Sequence, residues 1–211
     1  DNIDIVLTEL DALVNVDLKA RSVKKQLKSL RIIRVGTSGA LQSDIEVDSV
    51  TASEYAVGMD NLLNFYHLKH PAFEKELLLA FLEHVQENHI AFIPYIAGCS
   101  SSLLATFESI AHKGITVTCP GFYGPQGRMI RAEPAFPQLL SQLSSFTFDG
   151  HRITNFEMET SGIYGMAQLL GHEAISLNVI VANRMQKKFS SDPHKAMDNL
   201  IHLTLEQLAA E

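Results

Sequence analysis

Short apolar, β-branched runs alternate with amphipathic stretches of helical length, and this alternation most narrows what the chain can fold into. Residues 174–182 (AISLNVIVA) read as a long buried strand. ITVTC at 115–119, IAFIPYI at 90–96 and the run at 151–156 read as further strands. RIIRVGT at 31–37 reads as a buried strand entering a small-residue turn, Gly36-Thr37-Ser38-Gly39, and residues 45–57 as one or two strands. Between them lie helical patterns at 1–14, 101–111, 136–146, 158–170 and 192–209. A further helix runs from Pro71 to about Asn88, with Phe73, Leu77, Phe81 and Val85 along one side. Interleaved strands and helices predict an α/β fold with a substantially parallel sheet and helices on its faces.

No repeat, low-complexity tract or linker divides the 211 residues, so a single domain spanning 1–211 is expected. The formal net charge of −7, with no long basic stripe, argues against a nucleic-acid partner, while one or two arginines still suffice for a small anion. No apolar run reaches the ~18 residues of a membrane span. Two cysteines, Cys99 and Cys119, form no disulfide framework, which fits a reducing compartment and a cytoplasmic location. Pairs such as His67 with His70, or His84 with His89, lack a third ligand, so no metal site is expected. No nucleophile elbow, Walker loop, dinucleotide fingerprint or H-E-x-x-H occurs.

In sheets of this kind ligands sit where strands end, and the unusual chemistry falls at such exits. Arg34 lies inside an apolar strand and needs a partner. With the following glycines and the Thr37 hydroxyl it reads either as a phosphate site or as half of a structural ion pair. In Phe122-Tyr-Gly-Pro-Gln-Gly-Arg128, the planar amide of Gln126 offers an acceptor beside a donor, matching N3–H and C2=O of uracil. Arg128 can donate to the C4 carbonyl, and Phe122 can pack on a ring. The alternative is a plain Gly/Pro loop. In Asn155-Phe-Glu-Met-Glu-Thr-Ser161, Glu157 and Glu159 stand at a strand-to-helix junction. A carboxylate there can accept both hydroxyls of a ribose diol, or simply favour the helix N-terminus. Arg184, after the 174–182 strand, is either near a base or a surface charge.

Taken in order, IIRVGTSGALQ, FYGPQGR, NFEMETSGIYG and VIVANR resemble the uridine phosphorylase branch of the nucleoside phosphorylase family, over about residues 1–205. The resemblance implies a three-layer α/β fold: a central mixed sheet, partly closed into a barrel and flanked by helices. It implies reversible phosphorolysis of uridine to uracil and ribose 1-phosphate, with inorganic phosphate as co-substrate and no cofactor. It assigns Arg34 and Thr37 to phosphate, with Met158, Glu159 and Thr37 at the ribose. Ser38, Gly39, Phe122, Gln126, Arg128, Glu157 and Arg184 fall around the base, and Arg34, Gln126, Arg128 and Glu159 form the catalytic set. Partners are then a nucleoside and phosphate, within a homodimer or a hexamer built from dimers. A purine phosphorylase, a nucleosidase and a non-catalytic nucleobase-binding form stay open. A purine enzyme usually wants an acid after the 174–182 strand, where Ala182, Asn183 and Arg184 stand and Asn183 can still donate to N7. The family also carries an earlier strand and glycine-rich phosphate loop that this sequence does not show. The chain opens at Asp1 on a helical pattern, so a truncated or processed start is expected.

Overall fold

A computed structural model describes residues 2–85 and 93–210. Helix α1 (Asn2–Asn15) leads into a two-strand hairpin, β1 (Val16–Asp17) and β2 (Ser22–Val23). There follow β3 (Arg31–Ala40), β4 (Val50–Gly58), α2 (Ala72–Val85), β5 (Tyr95–Gly98), α3 (Ser101–Phe107) and β6 (His112–Thr118). The chain continues through α4 (Leu139–Ser145), β7 (Thr147–Phe148), β8 (His151–Glu157), α5 (Thr160–Leu170), β9 (Glu173–Asn183), β10 (Lys188–Phe189) and α6 (Pro193–Ala209). The expected helix residues 86–88 and strand residues 90–92 lie outside the described residues.

The main sheet runs β10-β9-β3-β8-β6-β4-β5, and β4 pairs again with β9. The ring β9-β3-β8-β6-β4 is thereby closed into a barrel. Three of its pairings are parallel: β3 with β9, β6 with β8 and β4 with β6. Two, β3 with β8 and β4 with β9, are antiparallel. Closure depends on two irregularities. The β4–β6 register shifts between Ser53 and Tyr55. Residues Val50–Ala52 pair with β9, whereas Tyr55–Gly58 pair with β5. A bulge bends a strand and raises its local twist, which lets one strand serve two neighbours in succession. The second shift, between Ser38 and Gly39 in β3, falls where that strand begins to pair with β8.

This corrects the expected turn at Gly36–Gly39. The strand runs on to Ala40, and neither glycine has positive φ. Gly36 serves space instead: a Cβ there would lie 2.5 Å from Arg34 Nη1. Nor is the strand buried throughout, since only Ser38–Ala40 are fully covered.

Helices pack around the barrel in pairs, each burying an apolar stripe. Leu77, Phe81 and Val85 of α2 join Leu139 and Leu143 of α4 against Ile115, Val117, Ile153 and Phe156. α1 and α5 cover Ala56, Tyr95 and Ala97. α3 and α6 cover Val50, Ala52 and the middle of β9. α6 begins where its sequence says it should: Asp192 accepts from Lys195 N–H at 3.0 Å, and Pro193 occupies the first turn. Among the described residues no helix is long and apolar enough to cross a membrane.

Candidate active site

Strand ends β3, β8 and β9 and the loop after β6 surround a cavity of about 170 Å³. Arg34, Thr37, Ser38, Gly39, Phe122, Gln126, Arg128, Glu157, Met158 and Glu159 all line it. Phe156, Val181 and Ala182 line it too and were not singled out in the sequence. The signal was present, because each adjoins a motif residue or sits at the end of β9. Arg184 is not part of the lining. Its backbone N–H donates to Ala40 O at 3.0 Å, and its Nη2 to Gly127 O at 3.5 Å, behind the Gln126 loop.

That loop owes its shape to a single 3-10 turn at Gly124–Gln126, ended by Gly127 at φ 65°. A side chain at Gly127 would be both strained and within 2.5 Å of Leu140. The turn places Gln126 and Arg128 side by side. Arg128 Nη1 donates to Gln126 Oε1 and, at 2.7 Å, to Phe122 O. The guanidinium lies over the Phe122 ring at 3.7 Å and within 5.8 Å of Phe156. Such stacking contributes ~0.5–2 kcal/mol and, more usefully here, fixes the plane of the guanidinium. Burial and neighbouring Arg184 pull the Arg128 pKa below its usual range. Gln126 is buried, its oxygen is on Arg128, and its Nε2 has no partner among the described residues.

Two carboxylates also line the cavity, at the start of α5. Glu157 Oε2 accepts from the backbone N–H groups of Glu159 and Thr160, both at 2.9 Å, and Oε1 accepts from Thr118 Oγ1 at 2.7 Å. Of the two glutamates, Glu157 is therefore the helix-capping one. Its burial pushes the carboxyl pKa up, while Arg34 and these donors pull the other way. Glu159 makes no such capping bond. Its side chain is 40 % exposed and its Oε2 accepts from Arg34 Nη2 at 2.5 Å. Met158 and Glu159 also border a second hollow of about 480 Å³ with Asp60, Leu62 and Phe65.

Arg34 is thus the half of an ion pair that its sequence context required. Nη2 also lies 3.3 Å from Glu157 Oε2. Nη1 donates to Asn178 Oδ1 at 2.6 Å and Ser176 Oγ at 3.2 Å. From there a relay of hydrogen bonds passes around the barrel. Asn178 Nδ2 donates to Ser53 Oγ at 3.5 Å, and Ser53 Oγ pairs with Thr116 Oγ1 at 2.6 Å. Thr116 donates to Asn155 Oδ1 at 3.0 Å, and Asn155 Nδ2 donates to Ser38 Oγ at 3.0 Å. All five barrel strands contribute, and both ends of the relay, Arg34 and Ser38, face the cavity. Buried polar groups joined in this way hold one geometry, because any break leaves a costly unpaired donor or acceptor. Among the described residues no group of three or more His, Cys, Asp or Glu is placed to hold a metal ion.

The cavity therefore presents both an amide–guanidinium pair and a carboxylate beside a guanidinium. The phosphorylase superfamily profile matches residues 12–209. The chain is 28 % identical over 165 residues to the uridine phosphorylase of Thermococcus kodakarensis, covering 77 % of this chain and 52 % of that protein. It thus spans about half the length of that curated relative. Among solved structures, a Trypanosoma brucei nucleoside phosphorylase described as showing uridine phosphorylase activity superposes with a TM-score of 0.85 at 26 % identity. That match covers all of this chain and 77 % of the other. Uridine phosphorylase from Schistosoma mansoni shares the fold, with a TM-score of 0.60 at 22 % identity over 98 % of this chain and 67 % of the other. With a closed mixed-sheet barrel, helices around it and a profile match over nearly its whole length, the chain belongs to the phosphorylase superfamily.

Proposed function

We infer that the chain is a uridine phosphorylase, converting uridine and phosphate reversibly to uracil and ribose 1-phosphate. The observation that carries this is the direct pairing of Gln126 with Arg128 at one wall of the cavity. Uracil presents C2=O, N3–H and C4=O in sequence along one edge. Gln126 Nε2 donates to C2=O, its Oε1 has a second lone pair for N3–H, and Arg128 donates to C4=O. Cytosine offers the opposite polarity at positions 3 and 4, setting its N3 lone pair against Gln126 Oε1 and its amino group against the Arg128 donor.

Cleavage of the glycosidic bond builds positive charge on the sugar and negative charge on the departing base. Arg128 stabilises that anion, Glu159 holds the 2′,3′-diol, and Met158 packs on the sugar. Arg34 with Thr37 orients phosphate for attack on C1′. Phosphate is the nucleophile, so no covalent enzyme intermediate is needed. The purine reading loses support at Asn183. Its Nδ2 donates to Gln42 O and Ile45 O, and its Oδ1 accepts from the N–H groups of Met185 and Gln186. Asn183 therefore has no donor left for a purine N7. We further propose that the enzyme needs no cofactor, acts in the cytoplasm and assembles as a homodimer or a hexamer of dimers.

The test is release of free base from uridine, thymidine and inosine, each with and without phosphate. Phosphate-dependent release that is fastest from pyrimidine nucleosides supports the proposal. Preference for inosine would replace it with a purine enzyme. Release without phosphate would make it a nucleosidase, and binding without release a non-catalytic form.

A further inference from the structure

We propose that Glu159 is an internal competitor for the phosphate site, released from Arg34 by the nucleoside, so that sugar binding creates the anion site. The inference rests on the phosphorylase reading above and adds to it an order of events. Its basis is the allocation of Arg34's hydrogen bonds. Nη1 is committed to the barrel, through buried Asn178 and Ser176. Nη2 is the half turned toward the cavity, and there Glu159 Oε2 occupies it at 2.5 Å with Glu157 Oε2 at 3.3 Å. One guanidinium charge thus faces two carboxylates. A phosphate oxygen is the same kind of acceptor as a carboxylate oxygen and competes for the same guanidinium. In the nucleoside-free site phosphate therefore approaches a guanidinium already engaged by Glu159, with Glu157 beside it.

The two carboxylates differ in how firmly they are held. Glu157 is fixed by Thr118 and two backbone N–H groups. Glu159 has Arg34 as its one side-chain partner among the described residues, makes no capping bond, and borders open volume on both the cavity and the adjoining hollow. It is the movable one. A ribose diol supplies two hydroxyl donors to Glu159, which replace the guanidinium and turn the carboxylate to the sugar. Nη2 is then free. Because binding couplings are reciprocal, the anion must in turn tighten nucleoside binding by the same factor.

Sulfate, an unreactive tetrahedral anion, is the probe, titrated calorimetrically into the whole chain with and without saturating uridine. Wild type is expected to bind sulfate about tenfold more tightly when uridine is present, the low end of what losing one charge-assisted hydrogen bond is worth. Glu159→Gln, which keeps the shape and removes the charge, should bind sulfate about tenfold more tightly than wild type in the absence of uridine, with little further gain from uridine. Glu159→Ala should behave likewise, and Arg34→Ala should lose sulfate binding in both conditions. Equal or weaker sulfate binding by both Glu159 variants would overturn the competitor, even while wild type releases uracil with phosphate and the phosphorylase reading stands. Sulfate binding untouched by Arg34→Ala, with no phosphate-dependent uracil release, would overturn both together.

Discussion

The hydrogen-bond relay inside the barrel makes a quantitative prediction at Thr116, a residue that does not line the cavity. Thr116→Val replaces one hydroxyl by a methyl group of nearly the same shape. It removes the 2.6 Å contact with Ser53 and the 3.0 Å donation to Asn155. Asn155 Oδ1 keeps a donor in Thr154 Oγ1 at 2.7 Å, so one group, the Ser53 hydroxyl, is left without its acceptor. An unsatisfied buried group costs ~1–3 kcal/mol. The added methyl returns at most ~0.8 kcal/mol of apolar burial. With that return in full the net loss is about 0.2–2 kcal/mol, or up to roughly 8 °C in Tm for a chain of this size. Urea unfolding followed by circular dichroism should show a lower midpoint at unchanged slope. The double variant Ser53→Ala with Thr116→Val should lose less than the sum of the two singles, since removing both partners leaves no orphan between them. A single variant as stable as wild type, or strict additivity, would refute the claim that the relay holds the barrel.

Arg128→Ala should lower kcat/KM for uridine by ~10²–10³, the usual cost of losing one leaving-group donor; an unchanged value would remove Arg128 from the chemistry. Cytidine should be used at least ~10²-fold less well than uridine, because a polar site rejects reversed donors strongly; comparable rates would contradict the assigned base edge. Gly36→Ala should raise the KM for phosphate several-fold while sparing that for uridine, since the new methyl displaces the Arg34 guanidinium. Burial pushes the Cys99 thiol up to about 12 and the Cys119 thiol higher still. Unfolded thiols ionise near ~8.5, so above that pH the unfolded chain binds fewer protons than the folded one and stability falls, by ~1.4 kcal/mol per pH unit for each thiol. Denaturation midpoints between pH 8 and 11 should show this slope, and a Cys99→Ala, Cys119→Ala variant should flatten it.

Local signals in the sequence carried a great deal of the fold and the site. The period of α2, the Asp-Pro start of α6 and the apolar run of β9 place their elements within a few residues of where they stand. The motif residues converge because each lies in a barrel strand or just beyond its end, and ten of the eleven expected site residues share one lining. What the sequence hid was non-local. Nothing near Val50 announces that it pairs with Val179, yet that contact closes the barrel. Glycines at 36 and 39 looked like a turn because glycine permits one; in the fold they are extended, and Gly36 makes room for a guanidinium. Arg184 follows β9 as expected but is drawn to the backbone of the Gln126 loop. The two readings of Arg34 were both open in the sequence, and the structure shows the ion pair, with Glu159 and Glu157.

A structure of the chain soaked with uracil and sulfate tests the central claim most directly. The account predicts the pyrimidine edge against Gln126 and Arg128, with its ring over the Phe122–Phe156 side of the cavity, and sulfate within hydrogen-bond reach of Arg34 and Thr37. Uracil seated away from residues 126 and 128, or sulfate held at a site that excludes Arg34, would contradict it.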